Sequence, residues 1–70
     1  MRNIEKFYSA VKTLRANTEV IVYGDVTTED EYNNNVKWVT GTSNGEVKTT
    51  NSCPHSEITW TLVKAEMDAL

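Results

Sequence analysis

Seventy residues with ten acidic and seven basic side chains carry a formal net charge of −3 and a pI near 4.9. That length allows a single domain, residues 1–70, with a modest core, and the acidic balance excludes general nucleic-acid binding, which needs a basic surface to displace counterions. One cysteine excludes an internal disulfide, the longest apolar run (Val20–Tyr23) is too short to span a bilayer, and the charged N-terminal stretch does not read as a secretion signal, so a soluble, cytoplasmic protein is expected.

Residues 3–16 read as an amphipathic helix. Ile4, Phe7, Tyr8, Val11 and Leu14 fall on one stripe of a 3.6-residue period, Asn3 suits the N-cap, and Asn17 can end the helix in a left-handed conformation. Through Thr18 the chain is basic, with Arg2, Lys6, Lys12 and Arg15 against Glu5 alone. Residues 19–24, β-branched and aromatic, read as a strand that stops at Gly24-Asp25. The next stretch reverses the charge. No basic residue occurs between Arg15 and Lys37, while Glu19, Asp25, Glu29, Asp30 and Glu31 all fall there. Thr28 followed by Glu31 fits a capping box, so a single helical turn is expected before Asn33-Asn34-Asn35 breaks it; otherwise residues 25–35 form a long polar loop.

Residues 36–42 and 46–51 read as a hairpin closed by Asn44-Gly45, the pair that tolerates positive φ at both central positions of a type I′ turn. An unbroken register would pair Ser43 with Glu46 and Trp38 with Asn51, placing Val36, Trp38, Thr40, Val47 and Thr49 on one face. Ser52-Cys53-Pro54-His55 reads as a turn. Residues 57–65 alternate, with Ile58, Trp60 and Leu62 inward and Thr59, Thr61 and Val63 outward, which predicts a fourth strand; residues 66–70 extend it or fray.

These elements predict an α+β fold in which the N-terminal helix packs across one face of a four-stranded antiparallel sheet. The expected core is Ile4, Phe7, Val11, Leu14, Val20, Val22, Trp38, Ile58, Trp60 and Leu62. The opposite face, carrying Ile21, Tyr23, Val39 and Val63 among threonines, is expected to stay at least partly open to water.

No catalytic signature emerges, and no cofactor or metal is expected. Cys53 and His55 supply two ligands where a metal needs three or four, and nothing orients them as a nucleophile and base, so they read as parts of a turn. Glycine-rich phosphate loops are absent. The acidic segment offers two readings: a solvated loop, or a docking element in which Asp25, Glu29, Asp30 and Glu31 imitate a run of phosphates and grip cations on another protein. Tyr23 and Tyr32 flank it. Tyr32 suits either an interface anchor in an acidic rim or a lid closing the loop over the sheet.

A Val-rich strand (Val20-Ile21-Val22-Tyr23), then Glu29-Asp30-Glu31, then Val36-Lys37-Trp38-Val39-Thr40, in a short acidic chain led by a helix, resembles the layout of small phage-encoded inhibitors of the anti-CRISPR and uracil-DNA glycosylase inhibitor type. The resemblance implies a non-enzymatic DNA-mimic-like inhibitor. The expectation is therefore a binding protein that blocks or modulates a host protein with a basic surface, a nucleic-acid-handling protein being one such target, through Asp25, Glu29, Asp30, Glu31, Tyr32 and Tyr23. The alternative is an assembly subunit that forms a homo-oligomer through a sheet edge or the open face.

Overall fold

The computed structural model describes residues 1–70. Its elements are α1 (Asn3–Leu14), β1 (Val20–Val22), α2 (Glu29–Asn35), β2 (Val36–Ser43), β3 (Glu46–Thr50) and α3 (Trp60–Asp68). The sheet has three antiparallel strands in the order β1-β2-β3, not four. The segment expected as a fourth strand is α3.

The helix wins over residues 58–68 for three local reasons. Thr59 is the N-cap, its hydroxyl oxygen accepting from the Leu62 amide at 3.3 Å. Ile58, just before the cap, and Val63, in the next turn, are both buried, so the apolar pair brackets the helix start as a hydrophobic staple. Beyond Leu62 the sequence Val-Lys-Ala-Glu-Met is mostly strong helix formers, and Val63 and Met67, four residues apart, share the buried stripe. Lys64 and Asp68 pair on the solvent side at 2.8 Å, worth a few tenths of a kcal/mol, on the order of 0.3. The core changes accordingly. Leu62 is largely exposed, Val63 is buried, and Trp60 lies half-buried against the core.

α1 forms where its periodicity places it, burying Phe7, Ala10 and Val11, with Ile4 and Leu14 packed at the margin. Its cap is Arg2, not Asn3: the Arg2 amide and guanidinium both donate to Glu5 Oε1. Asn17 does adopt a left-handed conformation (φ 63°) after the helix. α1 and α3 pack together over the inner face of the sheet, where Val36 and Trp38 are buried and Val20 and Val22 partly so.

The hairpin turn is as its dipeptide dictates, with φ 53° at Asn44 and 79° at Gly45. Its register is not unbroken. Ser43 pairs with Glu46, Thr42 with Val47 and Gly41 with Lys48, but Val39 pairs with Thr49 and Trp38 with Thr50, leaving Thr40 as an extra residue on β2. This bulge needs an unusual backbone, which Gly41 supplies at φ 152°; its missing Cβ would meet nothing within 4 Å, so conformation and not space demands glycine there. The extra residue shifts the later side chains by one. Val47 and Thr49 therefore lie on the outer face with Ile21, Lys37 and Val39, not on the Trp38 face. That outer face has no helix over it, and Ile21, Tyr23 and Val47 are exposed; Val63, expected there, is in the core.

Candidate functional site

The acidic segment is not a loop. Thr28 caps α2, its hydroxyl accepting from the Glu31 amide at 3.2 Å, and the helix continues through the asparagine run to Asn35. Anionic side chains suit the first turn, where the peptide dipoles leave partial positive charge. The asparagines do not break the helix because Asn35 is useful at its end: its amide donates to the Asp25 carbonyl at 2.9 Å, and its own carbonyl accepts from the Tyr23 amide at 2.8 Å. Two helical turns, rather than one, decide where the six candidate residues point.

Two of the acids are structural. Asp25 Oδ1 accepts from Asn3 Nδ2 at 2.7 Å and from the Val26 amide at 2.8 Å, while Asn3 Nδ2 also reaches the Val26 carbonyl at 2.8 Å. This clamp ties the start of α1 to the end of β1 and buries Val26. Glu31 Oε1 accepts from the Thr27 amide at 2.9 Å and from the Thr27 hydroxyl. The Asn3 side chain, with help from the Val26 amide, holds the Asp25 carboxyl below its ordinary range; the Thr27 hydroxyl and amide do the same for Glu31. Hydrogen bonds to the charged form are the cause in both.

A folded-state carboxyl held below its unfolded value stabilises the protein above the unfolded pKa and stops doing so as pH falls through the folded one. The unfolded values are about 3.9 for Asp and 4.3 for Glu. Thermal stability is therefore expected to hold near neutrality and to drop below about pH 4. In carboxyl-detected NMR titrations, Asn3→Ala should raise the Asp25 midpoint and leave Glu31 where it was; an unchanged Asp25 midpoint would dismiss the clamp.

The remaining acids are free. Glu29 and Asp30 are exposed, accept no hydrogen bond and take part in none of the ion pairs, which join Arg2 to Glu5, Arg15 to Glu57 and Lys64 to Asp68. The basic residues of α1 and its flanks thus do not neutralise them; Arg15, just past the helix, instead pairs with Glu57 in the connection between β3 and α3 at 3.5 Å. Tyr23 stands 62% exposed where β1 runs alongside the end of α2.

Tyr32 is not a surface anchor. As the fourth residue of α2 it turns inward and is buried among Phe7, Trp38 and Trp60, with ring centroids 6.4, 5.9 and 5.5 Å away. Of its two sequence readings, the ring that closes over the core is the one realised. A helical placement of residues 29–35 shows why, since Tyr32 then lies opposite Asp30 and Asn34, both exposed.

Cys53 packs at the core margin, and its thiol donates to the His55 carbonyl at 3.5 Å. Burial pushes the thiol upward in pKa, so it stays protonated at neutral pH and is a poor nucleophile. The His55 and Trp38 rings are nearly perpendicular, with centroids 6.5 Å apart. No group of three or more His, Cys, Asp or Glu side chains is placed to hold a metal ion, and no helix is long and apolar enough to cross a membrane. No protein-family model matches the chain, and no curated protein or solved structure shows significant similarity to it.

Proposed function

We propose that this protein is a small binding module that docks on a cationic surface of another protein through the exposed edge formed by Glu29 and Asp30 at the start of α2, with Tyr23, beside the other end of that helix, as a second, apolar contact. The carrying observation is the imbalance at that edge: two carboxylates on a rigid helical turn, free of internal partners, in a chain whose ion pairs are all formed elsewhere. Asp25 and Glu31 contribute charge from behind while fixing the backbone that carries the other two. A pre-ordered edge loses less conformational entropy on docking than a flexible acidic loop would. Its field raises the association rate with a basic partner and is screened beyond about 8 Å at physiological salt. The resemblance of its sequence to small phage-encoded inhibitors supports an inhibitory outcome, in which the occupied basic surface is closed to its ordinary anionic ligand.

Capture from a bacterial lysate on immobilised protein tests this. A dominant partner retained at low salt should be released at high salt, and the double substitution Glu29→Lys/Asp30→Lys should abolish capture without altering the circular dichroism spectrum. Tyr23→Ala should weaken it less. Retention of the same partner by the charge-reversed protein would overturn the assignment.

A further inference from the structure

β3 is one of the sheet's two edge strands and the longer of them, and one side of its backbone has no partner. In a two-residue hairpin the flanking residues, here Ser43 and Glu46, turn their amide and carbonyl groups toward each other. Those groups alternate in direction along a strand, so the backbone of Val47 and Thr49 points outward. Residues 40–49 are exposed without exception, and a two-stranded ribbon with neither face covered is marginal in water. Edge strands are commonly guarded by a bulge, a proline or a lysine. The bulge here is on β2, β3 contains no proline, and the guarding Lys48 is followed on the same side, two residues back, by Glu46. Neither makes an ion pair within the chain.

The strand is self-complementary in charge. We propose that β3 pairs antiparallel with β3 of a second copy about a two-fold axis at Val47, making one continuous six-stranded sheet. In that register Val47 lies opposite the partner's Val47, and the two exchange both backbone hydrogen bonds. Glu46 lies opposite the partner's Lys48, and Lys48 opposite the partner's Glu46, at the closer, non-hydrogen-bonded spacing where cross-strand side chains interact best. Centring the axis on Lys48 would set two lysines face to face, and centring it on Glu46 would do the same with two glutamates. Centring it on Thr49 would leave both charges without an opposite. Charge therefore selects Val47. The contact is isologous, as closed dimers require, and uses none of the residues of the acidic edge.

The interface is small, so the dimer is concentration-dependent. Sedimentation velocity over a range from about 10 µM to about 1 mM should show a monomer giving way to a dimer. Lys48→Glu and Glu46→Lys should each weaken association by about tenfold or more, because each sets like charges opposite one another twice. The double swap Glu46→Lys/Lys48→Glu should restore it to within about threefold, since the pairs re-form with their signs exchanged. In the unaltered protein, amide exchange at Val47 and Thr49 should slow as concentration rises. A monomer at the highest concentration, or a double swap as weak as the single variants, would refute the pairing.

Discussion

Val63→Asp is expected to unfold the protein, and Leu62→Asp is expected to leave it folded. A 70-residue domain has roughly 4–10 kcal/mol of stability in hand. Val63 is completely buried, in contact with the cluster that includes Phe7, Val11, Ile58 and Met67. Truncation there to alanine removes the side chain's transfer energy and leaves a small void, costing about 2 kcal/mol. Aspartate adds the burial of a carboxylate with no cation within the core, a penalty of several kcal/mol that it can escape only by unfolding or taking up a proton. Leu62 is 43% exposed on the other side of the same helix, so its replacement costs about 0.5–1 kcal/mol. Urea titrations of Val63→Ala, Val63→Asp and Leu62→Asp decide the matter, provided the slope stays constant. The contrast separates two architectures. A strand over 57–65 would bury Leu62 and expose Val63, and the order of the two aspartate variants would then be reversed.

That ambiguity has a physical origin. Over the five residues from Ile58 to Leu62, alternation of apolar and polar side chains satisfies a period of two, and Thr59 and Thr61 are good strand residues. The deciding information lies on either side of the window: a threonine positioned to cap, an apolar residue just before it and another four after it, and then an alanine, glutamate and methionine run. α1 was legible because its stripe extends over three turns with no competing pattern. The hairpin turn was legible because Asn44-Gly45 satisfies a backbone requirement that few dipeptides meet. The bulge was not, since Thr40-Gly41 can equally continue a regular strand, and an unbroken register with the same turn also faces Trp38 to the core; the bulge changes only which β3 residues share its face. Of the candidate site, the net charge and its location could be read directly. Which carboxylates are free could not, because Asp25 is held by Asn3, a residue 22 positions away, and Glu31 by Thr27, the residue before the cap, in a geometry that exists only once α2 has formed. The same folding that removes Tyr32 from the surface leaves Tyr23, at the far end of α2 from the free acids, as the exposed aromatic of this region.

Tyr32 yields the second large effect, and its sign depends on which atoms are removed. Its ring bridges Phe7 from α1, Trp38 from β2 and Trp60 from α3, so it joins every layer of the fold. Tyr32→Ala should therefore cost about 3–5 kcal/mol, as for other buried aromatics. Its hydroxyl is a different matter. That oxygen is buried and makes no hydrogen bond of acceptable geometry; the Cys53 sulfur lies close enough to interact with it, but the thiol donates to the His55 carbonyl and sulfur is a weak acceptor. A buried hydroxyl without a partner carries its desolvation cost uncompensated, so Tyr32→Phe should stabilise the protein by about 1 kcal/mol. Burial also drives the Tyr32 phenol well above its ordinary range, with the neighbouring thiol adding to the shift. A folded-state pKa raised above the unfolded value, about 10 for tyrosine, means that stability is complete below that pH and declines as pH rises from there toward the folded value. The unaltered protein should lose stability above about pH 10, and Tyr32→Phe should remove the part of that loss due to this ring. Denaturation midpoints at neutral pH and above pH 10 test both statements on the same pair of proteins. Destabilisation by Tyr32→Phe at neutral pH would mean that the hydroxyl is bonded, and the Cys53 thiol would be the group to replace next. Partner capture, by contrast, should be indifferent to Tyr32→Phe, because a phenol enclosed by three aromatic rings cannot reach another molecule while the helix that carries it presents Glu29 and Asp30 outward.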